Sequence, residues 1–213
     1  MTGAASKIKQ WLRLEPRLEP RCQLSVLMVC MGNICRSPTA EGALRARLKR
    51  EGLDEWVKVD SAGIYGGHKG ARPDARAVAH AAQRGIDISR LRAREVAPAD
   101  FERFDLLLAM DSDNLSNLRH HCPEDLQGRL GLLLAMDANN LDNLRQRCPP
   151  GLQRKLRLLL SFAAAGPGAA GGEELPDPYY GPPAGFEHVL DRIEASMSGL
   201  VAELRRRLAA LPT

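Results

Sequence analysis

The sequence lacks the long apolar runs and the ligand spacings that mark membrane proteins and metal sites. No hydrophobic stretch approaches the roughly 18 residues that a membrane-spanning helix requires, and the N-terminus has no apolar region typical of a signal peptide. No histidine or cysteine spacing is typical of a zinc site. The net charge is only +4, the basic residues are scattered, and no aromatic RNA-binding motif is present. We therefore expect no metal or other cofactor, no membrane contact and no nucleic-acid partner.

Cysteine is also scarce, and its count is odd. An odd number without a secretory signal argues against a disulfide framework and favours the reducing cytoplasm. Residues 1–23 contain two Leu-Glu-Pro-Arg units whose prolines disfavour helix, so we predict a poorly ordered N-terminal extension there. Residues 24–213 are predicted to form a single domain of ordinary size. The five cysteines are Cys22, Cys30, Cys35, Cys122 and Cys148.

Residues 24–38 carry the clearest chemical signal. The short, apolar, β-branched run from Leu24 to Val29 predicts a buried strand. Gly32 and Asn33 then break this run, and both tolerate the positive φ that a tight loop needs. Ser37-Pro38 predicts the start of a helix, with the serine hydroxyl as N-cap and proline at the first helical position. The segment therefore predicts a strand, a short loop and a helix N-terminus.

This predicted loop suits a dianionic phosphoryl group. The loop amides can point inward, and the helix N-terminus adds partial positive charge. Arg36 can clamp two phosphoryl oxygens, and the same field favours the thiolate form of Cys30, which can attack phosphorus. A Cys-x5-Arg pair alone is weak, because a buried structural cysteine gives the same spacing. Its place between a strand and a helix favours phosphate binding, for which we select Met31, Gly32, Asn33, Ile34, Cys35 and Ser37. We also expect Asn33 and Ser37 to order the loop, and the Ser37 hydroxyl to hydrogen-bond the thiolate.

The segment Val-Cys-Met-Gly-Asn-Ile-Cys-Arg-Ser-Pro resembles the signature of the low-molecular-weight protein tyrosine phosphatases. The resemblance runs from about Leu24 to the C-terminal helix, with one interruption. It implies an α/β fold with a parallel sheet of four strands flanked by helices, and a phosphate-binding loop after the first strand. It also implies hydrolysis of phosphotyrosine in proteins through a cysteinyl-phosphate intermediate. In such enzymes a cysteine at the position of Cys35 can trap the oxidised nucleophile as a disulfide; a small buried residue is the alternative.

A second motif, Leu-Pro-Asp-Pro-Tyr-Tyr-Gly, lies at residues 175–181. An aspartate between prolines in a loop is usually only a turn. Combined with the first motif, it resembles the family's general acid, so we expect Asp177 to protonate the departing oxygen, a contribution of about 10²- to 10⁴-fold. Tyr179 and Tyr180 match aromatic residues that border the family's substrate pocket.

The chain departs from the family beside His68. The family commonly has a large aromatic residue just before this histidine, whereas this chain has Gly67. We expect Tyr65 to supply the missing wall of the substrate cleft; the alternative is a partly exposed loop residue.

Arg94 is expected on the solvated surface. Hydrophobic periodicity and stop signals predict helices at 38–51, 74–84 and 184–210 and strands at 57–61 and 156–160. The last helix has one apolar stripe, which we expect to pack in the core.

The interruption is an internal duplication. Residues 105–130 and 131–156 align without gaps and are identical at sixteen of 26 positions. Each copy predicts an apolar strand, an Asx-type cap and a short helix, whereas the family has one such unit. We favour a second strand that joins the sheet and makes five parallel strands. The alternative is a surface insertion that exposes leucines.

Two other functions fit the same motifs. An arsenate reductase on this scaffold would need further cysteines as a relay, and Cys122 and Cys148, which are repeat equivalents, are not closely spaced. A non-catalytic phosphate-binding module would result if the duplication moved Asp177 away from the loop. The sequence does not indicate an oligomeric state.

Overall fold

The computed structural model describes residues 24–121, 134–135, 157–158 and 175–211. The N-terminal extension, most of the second repeat copy and the segment before Leu175 lie outside the described residues. The main sheet has three parallel strands in the order β2-β1-β3. They are β1 Leu24–Cys30, β2 Val57–Gly63 and β3 Leu106–Ala109.

Helices connect and flank these strands, which confirms the predicted α/β class. A single turn of 3-10 helix, Gly66–His68, follows β2. Positive φ at Gly52 (66°) and Gly85 (73°) lets the chain turn just after α1 and α2, as the predicted stop signals require. The α-helices are α1 Arg36–Arg50, α2 Ala75–Gln83, α3 Pro98–Arg103, α4 Ser112–His121 and α5 Ala184–Ala209.

The core lies on both faces of the central strand β1. Val26 and Met28 belong to one buried cluster with residues of α1 and α5. Leu27 and Val29 alternate with them, so they point to the opposite face, and both are fully buried. The predicted apolar stripe of α5 is buried from Phe186 to Leu204. A strand buried on both faces has little freedom to shift, so β1 holds its C-terminal residue, Cys30, in a fixed place.

The predicted start of the first helix was wrong. α1 begins at Arg36, its N-cap is Cys35, and no side chain caps it. Ser37 is therefore already helical, and its hydroxyl contacts Cys30 instead of the helix backbone. The cause is that the loop ends two residues earlier than the Ser-Pro signal indicates, which places both residues inside the first turn.

The second repeat copy contributes β4, Leu134–Ala135, which pairs in parallel with β5, Arg157–Leu158. These two strands form a separate two-stranded ladder among the described residues. Residues of β4 nevertheless lie within 8 Å of β3 by Cα–Cα distance. The addition of the second copy's strand to the main sheet stays a prediction.

Candidate active site

Cys30 ends β1, and its sulfur receives polar contacts from the loop that follows. We call residues 30–36 the phosphate loop. The backbone N–H of Asn33 donates to Cys30 Sγ at 3.3 Å, and Ser37 Oγ lies 3.0 Å from the same sulfur. The side chain is buried, with 3% of the residue exposed. An amide N–H and a hydroxyl directed at one sulfur favour its negatively charged form.

Asn33 holds the phosphate loop in shape. Its φ is 53°, the left-handed conformation predicted from the sequence. Its side-chain oxygen accepts from the backbone N–H of Arg94 at 2.9 Å, which fixes the orientation of the amide. The amide nitrogen then donates to Ser37 Oγ and Ser61 Oγ, both at 2.9 Å. Because Ser37 Oγ accepts this bond, its own hydrogen is available to Cys30 Sγ at 3.0 Å or to the carbonyl oxygen of Ala62 at 3.3 Å.

A buried carboxylate lies at the far end of this network. Ser61 Oγ donates to Glu41 Oε2 at 2.5 Å. Burial, which the Ser61 hydrogen bond partly opposes, raises the pKa of Glu41. Arg45 Nη2 lies 2.7 Å from Glu41 Oε1, but its N–H donates to the Val59 carbonyl instead. Ser61 therefore donates to Glu41 and accepts from Asn33. The hydrogen bonds of this network all run in the same direction, from Asn33 through Ser61 to Glu41.

Two glycines bring backbone and side chains close to the phosphate loop. A Cβ at Gly63 would lie 2.8 Å from the carbonyl oxygen of Met31 and 3.0 Å from the backbone nitrogen of Asn33. The end of β2 therefore supports the loop only because residue 63 has no side chain. The φ of Gly32 is not positive, contrary to prediction. A Cβ at this position would instead lie 2.9 Å from the His68 ring, so glycine allows this ring to approach the loop closely.

Arg36 is buried between two carboxylates. Nη1 donates to Asp111 Oδ2 and Nη2 to Asp177 Oδ2, each at 2.6 Å, and only 4% of the arginine side chain is exposed. Burial opposes its charge, but Cys30, Asp111 and Asp177 outweigh burial and raise the pKa of Arg36. The guanidinium has five N–H donors, so others remain for phosphoryl oxygens.

Asp111 and Arg94 are site residues that the sequence reasoning missed. Asp111 Oδ1 accepts from Asn114 N at 2.8 Å, which is the predicted Asx cap of α4. The same carboxylate orients Arg36, so the end of β3 contributes to the site. Arg94 is partly buried instead of fully solvated: it pairs with Asp60 at 3.0 Å and with Asp100 at 2.7 Å. The Met-Asp at the end of a buried strand was the available signal for Asp111.

One cavity of about 160 Å³ brings the predicted site residues together except Asn33 and Ser37, which are buried behind it. Of the described large hydrophobic residues that are exposed, all but Leu211 border this cavity. A larger cleft of about 700 Å³ lies beside α1 and contains none of these groups. Among the described residues, no cluster of His, Cys, Asp and Glu is placed to hold a metal ion. The cavity is lined by Cys30, Met31, Gly32, Ile34, Cys35, Arg36, Tyr65, His68, Asp177, Tyr179 and Tyr180.

A family model agrees with this arrangement. The model described as "Low molecular weight phosphotyrosine protein phosphatase" matches residues 25–129 and 122–210. The chain belongs to this family. Two overlapping matches are consistent with the duplicated strand–helix unit, since the matches meet inside the repeat. No described helix is both long and apolar enough to cross a membrane.

Named relatives and solved structures agree with this phosphatase family. A low molecular weight protein-tyrosine-phosphatase of Streptomyces coelicolor is 36% identical over 184 residues, 86% of this chain and 94% of the relative. The human low molecular weight phosphotyrosine protein phosphatase is 43% identical over 94 residues, 44% of this chain and 59% of the relative. The structure of YfkJ from Bacillus subtilis has a TM-score of 0.63 at 31% identity and covers 87% of this chain and 96% of its own. A protein tyrosine phosphatase of Entamoeba histolytica has a TM-score of 0.66 at 30% identity, with 86% and 97% covered.

Tyr65 forms an aromatic wall of the phosphatase cavity beside Gly67. The Tyr65 side chain occupies the space that a side chain at residue 67 would take, because a Cβ there would overlap its ring. Tyr65 packs edge-on near His68, with ring centroids 6.0 Å apart, and is 59% exposed. Contact of Tyr65 with substrate stays a prediction, as it does for Tyr179 and Tyr180.

Cys35 lines the same cavity as Cys30 but has a different environment. It is 5% exposed. Burial first, then the charges of Asp74, Cys30 and Asp177, raise the pKa of Cys35 to about 12. Cys35 is therefore a neutral thiol at pH 7. The disulfide that the family resemblance implies would then begin with oxidation of Cys30, not of Cys35.

We expect iodoacetamide at pH 7 to alkylate Cys30 in the folded protein and to leave Cys35 unmodified, because only thiolates react readily. Fragment-ion mass spectrometry of the tryptic peptide 22–36, which carries Cys22, Cys30 and Cys35, distinguishes the sites. Inorganic phosphate should protect Cys30 during the reaction, and unfolding in guanidinium should expose both. Equal labelling of the two cysteines in the folded state would contradict this interpretation.

Proposed function

We propose that this phosphatase hydrolyses phosphotyrosine in proteins through a cysteinyl-phosphate intermediate formed on Cys30. The observation that supports this most directly is the convergence of three chemical groups on one cavity. A sulfur that accepts hydrogen bonds, a buried guanidinium and a loop carboxylate are supplied by Cys30, Arg36 and Asp177. They supply the nucleophile, the positive charge that stabilises the transferring phosphoryl group, and the proton donor for phosphomonoester hydrolysis.

In the first step, the Cys30 thiolate attacks phosphorus, an S–P bond forms and the P–O bond to the tyrosyl ring breaks. Asp177 gives its proton to the departing phenolic oxygen. Arg36 and the phosphate-loop amides stabilise the negative charge of the transferring phosphoryl group, so we assign phosphate binding to residues 31–37.

In the second step, a water molecule attacks the phosphorus and the S–P bond breaks. Asp177, now ionised, accepts a proton from that water, and phosphate leaves. Cys30 departs as a thiolate, which the Ser37 hydroxyl and the Asn33 N–H stabilise at 3.0 and 3.3 Å. The same contacts that prepare the nucleophile therefore also make it a better leaving group.

The rim of the cavity fits an aromatic substrate. Tyr65, Tyr179 and Tyr180 are 59%, 37% and 94% exposed, and the last two rings pack edge to face at a centroid distance of 4.9 Å. Exposed aromatic rings beside a phosphate site can pack on the phenolic ring of phosphotyrosine. We propose cytoplasmic action, since an enzyme that depends on a free thiol requires a reducing compartment.

Phosphate release from a phosphotyrosine peptide tests the proposed function. The purified 213-residue chain should release inorganic phosphate without added metal or thiol co-substrate. Binding of phosphate without turnover would instead indicate the non-catalytic module. Arsenate-dependent oxidation of a thiol donor, without phosphate release from the peptide, would indicate the reductase.

Asp177→Asn should lower kcat/KM for phenyl phosphate by about 10²-fold or more, because the amide cannot protonate the departing oxygen. The loss for p-nitrophenyl phosphate should be smaller, because p-nitrophenolate is a far better leaving group than phenolate. Steady-state kinetics with both esters measures the difference. Equal losses for the two esters would show that Asp177 is not the general acid.

A further inference from the structure

The loop that carries Asp177 depends on contacts with the rest of the fold. We call residues 175–181 the acid loop, which contains no helix or strand. Tyr179 N donates to Asp177 Oδ1 at 3.0 Å, so the carboxylate is fixed to the loop backbone. The Asp177 side chain is 41% exposed. Besides the bond from Arg36 to Asp177 Oδ2, the position of this carboxylate over the phosphate loop therefore depends on what holds the backbone at Tyr179.

Arg76, on α2, supplies that contact. Its Nη2 donates to the carbonyl oxygen of Tyr179 at 3.0 Å. The guanidinium also lies 4.5 Å from the centroid of the Phe186 ring and 5.9 Å from that of Tyr179. Cation–π contacts of this kind favour a charged, planar side chain at this place. Arg76 therefore joins α2 to the acid loop and to the first turn of α5.

Arg76 is itself tied to the phosphate loop through Asp74. Two parallel hydrogen bonds join Arg76 Nε and Nη2 to the Asp74 carboxylate at 3.0 and 2.9 Å. Asp74 Oδ1 also caps α2 by accepting from Arg76 N at 2.8 Å. The backbone N–H of Asp74 donates to the carbonyl oxygen of Ile34 at 2.8 Å. A continuous path thus runs from Ile34 through Asp74 and Arg76 to Tyr179.

From this path we infer that Arg76 is a positioning residue that holds the Asp177 carboxyl group at the phosphate loop during proton transfer. The inference rests on the proposed function, because it concerns the general acid of that reaction. Arg76 does not touch the reacting atoms: it acts through the backbone two residues after Asp177. Its loss should therefore affect protonation of the leaving group, and leave the phosphate cradle of Cys30 and Arg36 intact.

Arg76→Met tests the inference, since methionine keeps an unbranched apolar stem against Phe186 but cannot donate to Tyr179 or Asp74. We expect kcat/KM for phenyl phosphate to fall about tenfold, part of the effect of losing the acid. The fall for p-nitrophenyl phosphate should be less than about threefold, because that leaving group depends less on the acid. Competitive inhibition by inorganic phosphate should keep its wild-type strength.

Arg84→Met is the matched control. Arg84 lies at the C-terminal end of α2 and pairs with Glu187, Asp191 and Glu194 of α5, away from the acid loop. This variant should show the wild-type ratio of the two ester rates, even if its melting temperature falls. Arg76→Lys, which keeps the charge but not the paired bonds to Asp74, should fall between wild type and Arg76→Met in that ratio.

The outcomes separate the inference from the proposed function. Equal losses for both esters in Arg76→Met, or weaker inhibition by phosphate, would mean a general structural role and would overturn the inference. A wild-type protein that hydrolyses neither ester would overturn the proposed function instead. An unchanged Arg76→Met enzyme would show that the acid loop is held without this arginine.

Discussion

Cys30→Ser should lower turnover of p-nitrophenyl phosphate by about 10⁴-fold or more, a loss of the size that other enzymes show without their nucleophile. The hydroxyl of serine stays protonated where a thiol can ionise. The contacts from Asn33 N–H and Ser37 Oγ, at 3.3 and 3.0 Å from the sulfur, favour an anion and do little for a neutral hydroxyl. A continuous p-nitrophenol release assay measures the loss.

The control for this variant is binding. The phosphate loop and Arg36 remain in Cys30→Ser, so inorganic phosphate should still raise its melting temperature. A phosphotyrosine peptide should also bind without being consumed. Turnover at the wild-type rate would exclude Cys30 as nucleophile, whereas loss of both turnover and phosphate binding would point to a misfolded loop and call for Cys30→Ala in its place.

Arg36→Lys should lower kcat/KM for phosphotyrosine peptide by about 10²- to 10³-fold, the range for losing a main donor to a developing negative charge. Lysine keeps one positive charge but cannot reach Asp111 and Asp177 together, as the two guanidinium nitrogens do at 2.6 Å. It also lacks the planar pair of donors that matches two phosphoryl oxygens. Steady-state kinetics with the peptide measures the effect.

Arg45→Lys provides a comparison, because Arg45 is on the same helix and half its side chain is exposed. It should retain most of the wild-type activity, since the Arg45 guanidinium donates to the backbone of Val59 and not to the cavity. A loss in Arg36→Lys no larger than that in Arg45→Lys would contradict the role of Arg36 as the clamp for the phosphoryl group.

The internal duplication is where sequence pattern and family resemblance differ most. The first copy supplies β3, α4 and Asp111, and Asp111 caps the helix and orients Arg36. Asp137 is the repeat equivalent of Asp111 and lies outside the described residues. Of the second copy, β4 is described, and its only partner among the described strands is β5. The described contacts therefore support the first copy as the one that completes the site.

Several parts of the site could be predicted because they are local. Residues 24–38 are contiguous, so periodicity and turn preferences alone predict a strand, a loop and a helix around Cys30. Asn33 shows the limit of this reasoning: its positive φ was predictable, but its bonds to Ser61 and to the backbone of Arg94 were not. Ser37 was wrongly predicted as the helix N-cap, since the helix begins two residues earlier, whereas its predicted contact with Cys30 is confirmed.

The sequence by itself determined the phosphate loop, the family and the apolar stripe of α5, because each is written in neighbouring or regularly spaced residues. Only the tertiary structure decided which carboxylates surround Arg36: Asp111 and Asp177 lie 75 and 141 residues further along the chain. The same holds for Arg76, whose link to Tyr179 spans 103 residues. Such contacts depend on how parallel strands and their connecting helices pack. Local sequence preferences do not determine this packing.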